Sequence, residues 1–198
     1  VAAVMPGVVL AAGNGLRAHE GPNSAGIQLI DGGRSACAII YPAEGEAWRK
    51  IAARLAETIA SRGAPEVPIL PDTQAVPERL GPIRKDLQDL SLIVVGDLNS
   101  NRAVFPYYAN YYTCCDARYP GAGGYELRTI VRPFGGEKSC LIVGAADVAD
   151  GEAAVERLTE IIKGVKAPDH VELPCVLEVK PGNEVAALFQ PAVEWLRR

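Results

Sequence analysis

The sequence predicts an α/β (α+β) fold: a mixed β-sheet with hairpins at both ends and helices packed on it. Three observations predict it. Two long segments repeat apolar residues at helical spacing. The continuous apolar run Leu92-Ile93-Val94-Val95 suits a strand buried on both faces. Two further runs fold back across glycine-containing turns, which argues against a purely parallel, doubly wound sheet.

Taken in order, Ile27-Gln28-Leu29-Ile30, the turn Asp31-Gly32-Gly33 and residues 36–41 read as a β-hairpin. Residues 45–62 read as a helix, with Trp48, Ile51, Ala52, Leu55 and Ile59 on one face and Gly63 stopping it. Residues 67–70 form a short strand weakened by Pro68, and residues 71–82 a proline-bearing loop. The buried strand at 92–95 ends at Gly96, after which Asn99 or Ser100 can cap a helix through the aromatic run, with Pro106 near its start. A turn-rich loop follows at 119–124. Residues 125–132 and 139–143 pair as a second hairpin across Pro133-Phe134-Gly135-Gly136. Residues 150–163 make the clearest helix, capped by Asp150, ended by Gly164, with Val155, Leu158, Ile161 and Ile162 on its apolar face. Beyond it, 176–179 reads as a strand and 185–197 as a helix broken or restarted at Pro191. The expected division is a flexible leader at 1–26, an α/β domain at 27–164, and a linker with the start of a following segment at 165–198. The chain reads as part of a longer polypeptide.

Composition narrows the function. The 198 residues are 48% hydrophobic, enough for one domain's core. Net charge is −4 and no basic cluster is long enough to track a phosphate backbone, so no nucleic-acid partner is expected. No apolar stretch reaches the roughly 20 residues that span a bilayer. The cysteine count is five, an odd number without a C-x-x-C pair. Cys37 and Cys140 lie in strand-like apolar runs and read as buried free thiols; a disulfide from Cys114 or Cys115 stays open. With two histidines, neither near a cysteine pair, a zinc site is not expected, nor any other cofactor. His19 and His170 also lack a triad context, which disfavours a Ser-His or Cys-His hydrolase.

Several segments invite sharper readings. Gly13-Asn14-Gly15-Leu16-Arg17 resembles the phosphate loop of sugar-nucleotide nucleotidyltransferases, but Leu16 stands where a small hydroxyl residue is usual and Asn23 where a lysine is expected. A leader is the preferred reading and a nucleotidyltransferase the alternative. Gly121-x-Gly123-Gly124 follows a helix and precedes a strand, the wrong order for a dinucleotide fingerprint, and reads as a turn. Asp97 can hold a metal or a sugar hydroxyl at a strand's carboxyl end, or cap the next helix; capping is the commoner use. Asp116 has no evident partner.

The densest signal is aromatic. Half of the chain's Phe, Trp and Tyr residues fall between 105 and 119. On a helix, Tyr107 and Tyr111 share one face and Tyr108 and Tyr112 an adjacent one. We expect one pair to pack and one to stay available, with Asn101, Arg102, Asn110 and Arg128 as polar neighbours. Tyrosine suits core, interface or sugar platform. The seven residues Asn101, Arg102, Tyr107, Tyr108, Tyr111, Tyr112 and Arg128 are therefore the candidate carbohydrate or interface surface, and a protein-interaction module is a further reading.

The succession of Ile39-Ile40-Tyr41-Pro42, the helix from Trp48, Leu92-Ile93-Val94-Val95-Gly96, the Asn-x-Arg aromatic segment, Tyr119-Pro120-Gly121-x-Gly123-Gly124-Tyr125-x-x-Arg128-Thr129-Ile130 and Leu141-Ile142-Val143-Gly144-Ala145-Ala146-Asp147 resembles the N-terminal α/β accessory domain of large carbohydrate-active enzymes. Similar domains precede the catalytic barrel in α-glucuronidases and β-N-acetylhexosaminidases, and stand before heparinase-like modules. The likeness covers about residues 27–163, and the Tyr-Pro-Gly to Arg-Thr-Ile stretch is its most distinctive part. It implies a non-catalytic domain of a glycoside hydrolase or polysaccharide lyase. Its partners would be a downstream catalytic domain of the same polypeptide and glycan, in a secreted or periplasmic setting. The resemblance transfers no catalytic residue, because the acid/base carboxylates of such enzymes belong to the following module.

Overall fold

The computed structural model describes residues 9–10, 26–64, 66–165 and 169–186. In chain order the elements are β1 (Val9–Leu10), β2 (Ile27–Asp31), β3 (Arg34–Ser35), β4 (Cys37–Tyr41), α1 (Glu46–Ala60), β5 (Ile69–Pro71), α2 (Asp72–Ala75), β6 (Ser91–Val95), α3 (Phe105–Ala109), β7 (Tyr125–Ile130), β8 (Cys140–Gly144), α4 (Val148–Gly164), β9 (His170–Leu173) and β10 (Val176–Lys180). The main sheet runs β1-β10-β7-β8-β6-β4-β5, and a small antiparallel sheet runs β3-β2-β9. Strands β5, β4, β6 and β8 are mutually parallel; β7 and β10 pair antiparallel. The chain thus has an α/β fold with helices on a mixed sheet.

The central strands read as continuous apolar runs because both faces are covered. Successive residues of β4 and β6 point alternately into two cores. Cys37, Ile39, Tyr41, Ile93 and Val95 join the core under α1, α4 and the small sheet. Ala38, Ile40, Leu92 and Val94 join the opposite core, under α2 and the segment around α3. The apolar stripes of α1 and α4 are buried at the positions their periodicity predicts.

Four local expectations need correction. The first hairpin is short: β2 pairs with β3 only through Ile30↔Ser35 and Asp31↔Arg34, and the chain then leaves for the main sheet as β4. Leu29 and Ile30 serve one layer while residues 37–41 are needed at the sheet centre, so the strand divides between the two. The cap of α4 is Asp147, whose Oδ1 accepts the Asp150 N–H (2.9 Å), one turn earlier than expected. The cap after β6 is Asn101, whose Oδ1 accepts the Ala103 N–H (2.8 Å), instead of Asn99 or Ser100. Finally, residues 170–180, expected beyond the domain, supply β9 to the small sheet and β10 to the main one. The second hairpin forms as expected, with β7 against β8 from Glu126↔Gly144 to Ile130↔Cys140. The helix read at 185–197 lies almost wholly outside the described residues, as do the leader apart from β1 and the Gly13-Asn14-Gly15 loop.

The Tyr-Pro-Gly loop is held by backbone-to-backbone packing. A β-carbon on Gly124 would stand 2.4 Å from the Gly182 nitrogen and 2.5 Å from the Lys180 oxygen. Gly182 N–H donates to Pro120 O (2.7 Å), and Gly123 N–H donates to the Asp150 carboxylate (2.9 Å). The glycines therefore form a packed turn, as read from their order relative to helix and strand.

Candidate functional site at the carboxyl ends of the parallel strands

In an open α/β sheet the loops after two adjacent parallel strands can leave toward opposite faces, which opens a crevice between them. Here that point lies between β4 and β6. The chain after β4 enters α1 on one face and returns as β5 on β4's far side. The chain after β6 passes to the other face through α3. Asn101 ties the two strand ends together. Its Nδ2 donates to Val95 O (2.7 Å) and Ile40 O (3.2 Å), and it is fully buried.

Asp72, just past β5, ties that strand's end to the loops after the other two. Its Oδ1 accepts the Ala43 N–H (2.9 Å), its Oδ2 accepts the Arg102 N–H (2.8 Å), and the Arg102 Nε lies 4.0 Å away. Asp97 accepts the N–H groups of Asn99 (3.2 Å) and Ser100 (2.9 Å), the Asn99 Nδ2 (3.0 Å) and the Ser100 hydroxyl (2.7 Å). Asp97 therefore closes the turn 97–100 and fixes the loop after β6, while the cap of the next helix, expected of it, falls to Asn101. Between these anchored loops opens a cavity of about 440 Å³, lined by the polar side chains of Glu44, Thr73, Arg79, Asn99 and Arg102 and by the apolar Leu98 and Phe105 among others.

The tyrosine segment is built differently from the expected stripe. Helix α3 stops at Ala109, and its end is a Schellman motif: Tyr112 N–H donates to Tyr107 O (2.9 Å) and Tyr111 N–H to Tyr108 O (3.0 Å). Tyr111 occupies the left-handed position usual for glycine, at φ 60°. The chain therefore turns before residues 111 and 112 can repeat the helical faces of 107 and 108. Tyr107 is buried, with its ring centroid 5.4 Å from that of Phe134 and its hydroxyl pushed well above the usual tyrosine range by burial. Tyr112 meets the same Phe134 ring edge-on at 5.4 Å. Tyr108 donates to Asp116 (3.0 Å), and Tyr111 is 92% exposed. The outcome is one buried ring, two partly buried rings and one free ring. A mostly apolar groove of about 380 Å³ lies beside Tyr107 and Phe134.

Arg128 lies apart from the other candidates. Its guanidinium pairs with the fully buried Glu126 (2.6 Å), whose other oxygen accepts the Thr113 hydroxyl (2.7 Å); Thr113 in turn accepts the Cys115 N–H (3.1 Å). This is a structural network between β7 and the loop after α3. Asn101 is likewise structural, and of the expected polar neighbours only Arg102 reaches the crevice. Glu44, Asp72 and Arg79 escaped sequence reading because they come from separated loops. Their common signal is position just after or beside the ends of parallel strands.

All five cysteines are free. Burial pushes the thiols of Cys37 and Cys140 up to about 12, consistent with inert packing groups. His170 is exposed, 3.5 Å from carboxylates of Asp31 and Glu172. Among the described residues no three His, Cys, Asp or Glu side chains group as a metal ion would require, and no helix is long and apolar enough to cross a membrane.

The fold and these loops define an α/β domain with a polar crevice at its topological switch point. No protein-family model matches the chain, and no curated protein is significantly similar to it.

Proposed function

We propose that this chain is a non-catalytic accessory domain of a glycoside hydrolase or polysaccharide lyase, supporting a catalytic module of the same polypeptide and contacting glycan. The observation that carries the reading is how its buried carboxylates are used. Glycoside hydrolysis needs two carboxyl groups roughly 5–10 Å apart, free to exchange protons with substrate. Asp72, Asp97, Glu126 and Asp150 are instead committed to loop N–H groups, hydroxyls or a guanidinium. Such anchors make a rigid scaffold with shaped loops, which suits a supporting and binding role. The exposed Tyr111 ring and the polar crevice are the surfaces that glycan would meet.

The purified chain, incubated with aryl glycosides and with uronate-containing polysaccharides, is expected to release no aglycone, no new reducing ends and no unsaturated product. Sustained turnover proportional to protein concentration overturns the proposal.

A further inference from the structure

We infer that the crevice between the loops after β4, β5 and β6 is a binding site for one uncharged, polyhydroxylated ring of the sugar class. The carbohydrate class rests on the proposed function; the site and the preference for an uncharged ligand rest on the crevice itself.

Its volume of about 440 Å³ falls within the ~300–1,000 Å³ of small-ligand sites. The three loops are preorganised, because Asp72, Asp97 and Asn101 hold them through hydrogen bonds from buried side chains. The walls mix acceptors and donors. Glu44 accepts, Arg79 and Arg102 donate, and Thr73 and Asn99 do both. Glu44 and Arg79 are exposed and make no ion pair among the described residues. A hydroxyl, which donates and accepts at one atom, satisfies both kinds of neighbour.

The lining also includes the apolar Leu80, Leu98 and Phe105. Leu80 is 61% exposed and held at φ 67°, a conformation leucine rarely adopts. That arrangement gains little core burial, but it adds apolar surface to the crevice that the C–H groups of a ring can meet.

Phosphate is disfavoured by the same geometry. The amide of Ala43, just ahead of α1, is already bonded to Asp72, and Glu44 adds a carboxylate at that helix's entry. The lining's two carboxylates, Glu44 and Asp72, are balanced by the guanidiniums of Arg79 and Arg102, so no net positive field draws in an anion, and a phosphate would bring its own charge beside Glu44.

The test is an amide-shift titration of the whole ¹⁵N-labelled chain with methyl pyranosides at millimolar concentration, beside ATP and inorganic phosphate. We expect shifts confined to Ala43, Thr73, Leu98, Asn99 and Arg102, saturating with a glycoside and absent with both phosphates. Arg79→Ala and Glu44→Ala alter exposed side chains, so the fold should persist. Each should weaken binding at least about tenfold, as expected for a lost charge-assisted hydrogen bond. Three results overturn the inference: no shifts with any pyranoside, shifts from phosphate alone, or glycoside shifts centred on Tyr111 that both variants retain. The last leaves the proposed function standing. Turnover of the glycoside during the titration overturns the proposed function and leaves the site.

Discussion

The indole of Trp48 fills the space that a β-carbon on Gly151 would need: an ideal Cβ there stands 2.4 Å from Cζ3 and 2.9 Å from Cη2. The contact sets how closely the first turns of α1 and α4 approach on one face of the sheet. In a solvent-facing helix, alanine is favoured over glycine by about 1 kcal/mol. Here the ring cannot move without disturbing the core, so the sign reverses. Gly151→Ala should destabilise the domain by about 1–3 kcal/mol, read as a lower urea midpoint. A raised midpoint would contradict the packing described.

Tyr111 makes the opposite case. It occupies the left-handed position of a Schellman motif at φ 60° while almost fully exposed. A non-glycine residue there costs about 1 kcal/mol or more, and no buried contact of Tyr111 offsets it. Tyr111→Gly should therefore raise stability by up to about 1 kcal/mol, with glycine's greater freedom in the unfolded chain offsetting part of the gain. A clear loss of stability would mean that the ring makes a contact absent here.

Arg128 and Glu126 form a charge pair with the carboxylate fully buried and the guanidinium side chain 30% exposed. Removing the arginine leaves a buried carboxylate with the Thr113 hydroxyl as its remaining partner. Arg128→Ala should cost about 3 kcal/mol, and the double change Glu126→Leu with Arg128→Leu markedly less, because it also removes the stranded charge. Thermal or urea unfolding of the three proteins decides it; equal losses in single and double variants would refute the pairing.

Asp116 couples stability to pH. Burial opposes its charge, but the N–H groups of Arg118 and Tyr119 and the Tyr108 hydroxyl outweigh burial and hold its carboxyl below the ordinary range. A depressed folded value means that the stabilisation is complete above the unfolded value, about 3.9, and is lost as pH falls through the folded one. Asp116→Asn should therefore be less stable than the parent at about pH 7, with the gap shrinking toward about pH 2. An equal gap at both pH values would show that the charged form is not the one stabilised.

The sequence shows most clearly those features that rest on local periodicity. The buried stripes of α1 and α4 and the doubly covered β6 follow from spacing alone, because each presents a repeating apolar pattern to a fixed neighbour. Features decided by a single residue or by distant loops are hidden. The tyrosine faces failed because a left-handed residue at Tyr111 ended α3 after five residues, and glycine, the usual marker, is absent there. Arg128 looked like a surface partner because nothing local marks Glu126, two residues before it on β7, as buried; Glu126's other oxygen meets Thr113, on the loop after α3 that folds back onto the strand. The crevice draws on loops after three parallel strands, so Glu44, Asp72, Arg79 and Asn99 share no motif. Arg102 is the candidate common to the sequence reading and the crevice.

The central claim, a scaffold that contacts glycan without transforming it, is tested most directly by affinity electrophoresis of the intact chain through gels containing soluble polysaccharides, with product analysis of the same polymers in solution. The account predicts retarded migration with at least one polymer and no new reducing or unsaturated ends after prolonged incubation. Unretarded migration in every gel, or products that accumulate with time, would contradict it.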